Sequence, residues 1–106
     1  MYRLVFALVL AGTPSFADWY HGGTLHGSRL SDWKSASAAN RLATSSDYAV
    51  VIMGNEKAVA LGLDNLKVLA GGISDCVTEV ASDENLGFMK SNEVALSCFI
   101  LIMDQH

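Results

Sequence analysis

The chain has 106 residues, 51% of them apolar, and its seven Lys/Arg face eleven Asp/Glu for a formal net charge of −4. That length accommodates one domain with a thin core. The acidic balance, with its few cations scattered, argues against nucleic acid or an anionic lipid surface as the partner.

The chain opens "MYRLVFALVLAGTPSFAD". Arg3 supplies a positive start, Leu4 to Ala11 form an unbroken apolar run, and Gly12 and Pro14 end it. Ser15-Phe16-Ala17 places small residues at the two positions that a signal peptidase reads. The pattern predicts a cleavable signal peptide over 1–17 and a periplasmic or secreted protein. The run is too short for a transmembrane span, which needs about 20 apolar residues. The later apolar stretch "VALSCFILIM" is short as well, so no span is expected in the mature chain.

Removal of 1–17 takes Arg3 with it and leaves six basic against eleven acidic side chains. Cys76 and Cys98 are the two cysteines of the chain. In an oxidising compartment such a pair predicts one disulfide. Closing that interval removes about 3 kcal/mol of unfolded-state freedom.

Residues 18–28, with "HGGTLHGS" at their centre, read as a flexible lead-in to a helical domain over 29–106. Beyond Pro14 there is no further proline, and Ala, Leu and Met are abundant, which favours helix. The first helical segment is expected from Arg29, capped by Ser28, to a stop at Gly54. Trp33, Ala36, Asn40, Ala43 and Asp47 share one stripe of it. Its end, Tyr48 to Met53, is rich in β-branched residues, and periodicity leaves helix and strand both open there.

The next segment carries Val59, Leu63, Leu66, Ala70, Ile73, Val77 and Val80 at alternating spacings of four and three. This is the apolar face of an amphipathic helix over about Lys57 to Ala81. Asp64-Asn65 offers a fresh start within it, and Gly71-Gly72 a place for another helix to come close. "SDENLGFMK" reads as a loop. Ser91 is expected to cap a last helix whose inner face is Val94, Ala95, Cys98, Leu101 and Ile102. The fold class is therefore all-α: a compact bundle of three or four helices, the long segments open to division, with Cys76–Cys98 stapling the last two.

Few side chains form a pattern that carries chemistry. His21 and His26 lie near Asp18, two imidazoles on a glycine-rich segment, where a zinc site needs three or four ligands of fixed geometry. A terminal copper or nickel site needs His as the third residue, and cleavage after Ala17 makes His21 the fourth. "GGTLHGS" lacks the lysine and spacing of a phosphate loop. No serine stands in a G-x-S-x-G elbow, and the carboxylates do not pair as acid and base. The expectation is a non-enzyme without cofactor, with His21 and His26 as a metal-carrier alternative.

Trp33, Asn40 and Arg41 stand out among small residues. One reading has Asn40 bonding a neighbouring segment while Arg41 pairs with Asp47 or another acid. The other makes Trp33, Asn40 and Arg41 a recognition patch for a protein, since Trp and Arg are typical interface anchors.

The signal-like start, the segment "GGTLHGSRLSDWKSASAANRLAT" and the segment "CVTEVASDENLGFMKSNEVALSC" together resemble short exported helical proteins of bacteria. More broadly the chain resembles the HdeA/HdeB and Rap1a/Tai-immunity type. That resemblance implies a small all-helical periplasmic protein acting as an acid-stress chaperone or as an antitoxin, and it assigns no catalytic or binding residue. The expected function is a non-enzymatic protein-interaction module, with an acid-stress holdase as the alternative.

Overall fold

The computed structural model describes residues 19–105; the expected signal peptide and its cleavage point lie outside the described residues. Five α-helices follow one another: α1 (Leu30–Ser35), α2 (Ala38–Met53), α3 (Asn55–Leu61), α4 (Leu63–Ala81) and α5 (Ser91–Asp104). One 3₁₀ turn, Glu84–Leu86, sits in the α4–α5 connection. The stretch Tyr48 to Met53 is helical and completes α2.

The sequence suggested three or four helices, and the extra breaks have local causes. Ala36 and Ser37 are extended, and the Ser37 hydroxyl accepts the Asn40 N–H at 3.1 Å, so Ser37 caps a new helix where one continuous segment was expected. The Arg41 guanidinium closes the other side of this break. Nη1 donates to the Ala36 carbonyl at 3.0 Å and reaches those of Trp33 and Lys34 at 3.4 Å. Arg41 therefore satisfies the end of α1 instead of pairing with Asp47. The second predicted helix divides at Gly62, whose φ of +86° favours glycine. Asn65 Nδ2 donates to the Leu61 carbonyl at 2.9 Å across that break.

Helix α4 is the hub, packing against α1, α2, α3 and α5. Its stripe Leu66, Leu69, Ala70, Ile73 and Val77 is buried as the periodicity requires. The same stripe does not extend N-terminally: Val59 and Leu63 are exposed, Val59 on α3 beyond the break at Gly62 and Leu63 at the very start of α4. Opposite the stripe lie Leu30 and Trp33 from α1, Tyr48 and Ala49 from α2, and Val94, Ala95 and Cys98 from α5. Trp33 is fully buried, stacks on Tyr48 with ring centroids 6.4 Å apart, and donates its N–H to Thr78 Oγ1 at 3.1 Å. A Cβ at Gly72 would meet Ile102 Cδ1 at 3.2 Å, so one of the two central glycines admits the end of α5. Leu101, expected inside, is 57% exposed; the inner face of α5 runs through Cys98 to Ile102.

Cys76 and Cys98 form a disulfide between α4 and α5, with Cα atoms 6.0 Å apart. A single antiparallel bridge, Arg29 with Lys90, ties the two helix starts together. Leu30 N–H donates to Met89 O at 2.8 Å and Ser91 N–H to Ser28 O at 2.9 Å. The expected caps at Ser28 and Ser91 are both displaced by this bridge. The capping positions are Arg29 and Lys90, without side-chain capping bonds, and the two serines turn to each other, Oγ to Oγ at 2.9 Å.

Candidate interaction site

Two adjoining surfaces of α2 carry polar and apolar features that the core does not explain. The first is a seam between α2 and the segment 23–28. Asn40, Thr44 and Tyr48 recur every four residues and so line one helix face. Asn40 Oδ1 accepts the Thr24 N–H at 2.9 Å, and its Nδ2 donates to Thr24 Oγ1 at 2.8 Å. Thr44 Oγ1 accepts the Leu25 N–H at 3.2 Å and donates to Asn40 Oδ1 at 3.2 Å. Tyr48 Oη lies 2.9 Å from the Leu25 carbonyl, 3.1 Å from that of His26 and 3.0 Å from Ser91 Oγ. Ser91 in turn reaches the carbonyls of Leu25 and Ser28.

The glycine of this segment that matters is Gly23. A Cβ there would come within 2.6 Å of Thr44 N, so only glycine lets the strap lie against the helix. The segment read as a lead-in thus presents its backbone groups to a helix face spaced to receive them. Burial pushes the Tyr48 phenol above its usual value, with the Ser91 bond opposing the shift.

Asp47 stands beside this seam. Its Oδ2 meets His26 Nε2 at 2.6 Å, and both side chains are half-exposed. The His26 ring also lies edge-on to Tyr48, 6.0 Å between centroids. His21 packs against Tyr20 at 4.3 Å, so the two histidines engage different partners. Among the described residues, no three His, Cys, Asp or Glu side chains converge at metal-binding spacing.

The second surface is apolar. A groove of about 600 Å³ runs between α2, α3 and the start of α4, walled by Val50, Val51, Ala58, Val59, Leu63 and Leu66. A second groove, about 320 Å³, lies between α2 and α5 along Val51, Ile52 and Leu96. The two share His26, Asp47 and Val51, so the His26–Asp47 contact stands where they meet. Val51 is 82% and Val59 80% exposed. A third hollow of about 330 Å³ lies among Met53, Leu61, Val68, Leu69, Ile102 and Met103.

The residues singled out in the sequence are placed differently. Trp33 is in the core, Asn40 bonds the strap, and Arg41 closes α1. The three side chains are engaged inside the domain. Of the residues that line the meeting grooves, His26 was singled out as a metal ligand, and Val59, Leu63 and Leu66 as a buried helix face rather than a contact surface. A signal for the grooves was present in "YAVVIM", where apolar side chains surround the helix and exceed what one buried face can take.

Comparison with family models, with curated proteins and with solved structures finds no match. Among the described residues, no helix is long and apolar enough to cross a membrane.

Proposed function

We propose that this protein is a non-enzymatic interaction module of an exported, oxidising compartment, and that it binds a protein partner through the apolar grooves on α2. The exposure of Val51 and Val59 around a shaped groove carries the reading. Isolated exposed apolar residues are ordinary, but a contiguous patch around a concavity marks an interaction site. The reading moves the contact surface from Trp33 on α1 and Asn40 and Arg41 on α2 to another face of α2. The Cys76–Cys98 disulfide is compatible with the compartment.

The test is affinity capture from the exported fraction of the source cell with the wild-type chain and with a Val51→Asp/Val59→Asp variant. A stoichiometric protein retained by the first and lost by the second supports the reading. Equal retention by both rejects the groove as the contact surface.

A second reading, an acid-responsive holdase, draws on the outer face of α5, where Leu96, Ile100, Leu101 and Met103 are exposed. Protonation of the carboxylates removes their charge and weakens whatever part of the fold relies on it. Light scattering of a denaturing client at about pH 3 tests it. Suppression of aggregation supports the holdase, and none removes it.

A further inference from the structure

We propose that the occupant of the two joined grooves is an amphipathic helix carrying a basic residue between two apolar anchors, with the basic group seated on Asp47. The inference rests on the binding reading above and adds the chemistry of the partner.

The two grooves are apolar for most of their length, and their shared point is the His26–Asp47 pair. An amphipathic helix laid in a hydrophobic groove presents positions i, i+3 or i+4, and i+7 on one face, so two anchors two turns apart leave one position between them on that face. With one anchor in each groove, the position between them faces the residues that both grooves share, His26, Asp47 and Val51. The charges there decide its nature. Neither groove is lined by Lys or Arg, and the charge-bearing residues on their walls are His26 and Asp47. Nearby, α3 and α4 expose Glu56, Lys57 and Asp64, none of which lines a groove, and Lys67 lies over the Trp19 ring at 5.8 Å. An acidic residue on the occupant meets a carboxylate with no wall lysine or arginine to offset it. A lysine or arginine meets a half-exposed carboxylate already oriented by the His26 ring. The acidic balance of the whole chain acts in the same direction on the approach of a basic partner.

The probe is a synthetic, stapled Leu/Ala helix with a single central Lys, compared with otherwise identical helices carrying Gln or Glu. Binding is followed by calorimetry and by amide chemical shifts of the disulfide-intact protein. The Lys helix is expected to bind about tenfold more tightly than the Glu helix, with Gln between them. Asp47→Asn is expected to weaken the Lys helix about two- to fivefold, the worth of a half-exposed ion pair, and to leave the Gln helix unchanged. Shifts are expected at Val51, Val59 and Leu96 together.

Equal affinity of the Lys and Glu helices, or indifference of the Lys helix to Asp47→Asn, overturns the inference. If Val51→Asp/Val59→Asp still abolishes binding in that case, the grooves remain the contact surface and only the basic partner is rejected. If that variant binds every helix as well as wild type does, the groove reading falls with it. Both valines are exposed, so the variant tests the surface without emptying the core.

Discussion

Helix α2 presents two adjacent faces that differ in how complete they are. Along Asn40, Thr44 and Tyr48 it meets the segment 23–28, and the polar groups of this seam find partners within the chain. Along Val51 and the residues of α3 and α4 beyond it, apolar side chains are left to solvent. The first face resembles a finished interior and the second an interface with one side missing. The contrast teaches that the apolar excess is not a failure of the small domain to close. The same helix closes its neighbouring face with bonds of ordinary length to a segment whose glycine makes the approach possible.

The largest expected effect falls on both faces at once. The Cys76–Cys98 staple joins α4, which walls the larger groove, to α5, which carries Ser91 of the seam. Replacing both cysteines by serine should cost about 3 kcal/mol in chemical denaturation. Strap and groove amides should then lose hydrogen-exchange protection together. Loss confined to one face would show that the two are independently supported.

The seam can be broken alone. Tyr48→Phe removes the hydroxyl shared by the Leu25 and His26 carbonyls and by Ser91, and should cost about 1–3 kcal/mol. The affinity of the groove for a bound helix should change much less. The same residue sets an alkaline limit. Its phenol is raised above the usual value of about 10, so above that pH the folded state retains a proton that the unfolded chain has released. The stability is therefore intact below pH about 10. It falls by up to about 1.4 kcal/mol per pH unit as pH climbs toward the folded value. Denaturation measured between pH 8 and about 12 should show this slope in the wild type and its loss in Tyr48→Phe.

A smaller gain is expected at Ser45 of α2. Its hydroxyl is fully buried and has no hydrogen-bond partner among the described residues. Ser45→Ala removes an unsatisfied group and should raise stability by up to about 1 kcal/mol, read as a thermal midpoint higher by several degrees. An unchanged or lower midpoint would point to a partner for that hydroxyl.

The smallest effect belongs to the groove. Val59→Ser should alter stability by no more than about 0.5 kcal/mol, because the side chain is already in water. A loss of several times that size would mean that the valine packs in the folded domain and that the groove is covered in solution.

Periodicity and composition determined much of this molecule. The absence of proline after residue 14 and the four-three spacing through Val77 dictate helices, and the α4 stripe is buried because that spacing places it on one side of the coil. Two inward cysteines on successive helices likewise define their own pairing. Local chemistry could not foretell which hydroxyls would serve as caps. Ser28 and Ser91 have the right residue type, yet the Arg29–Lys90 bridge, between positions far apart in the chain, turns them to each other and to Tyr48. Nor could spacing show that Val51, Val59 and Leu63 would stay in solvent. A helix pattern fixes which side chains share a face, because that follows from the backbone repeat. Which neighbour covers a face, and which face is left without one, depends on how the turns at Ser37 and Gly62 reorient the helices, and only the assembled fold decides that.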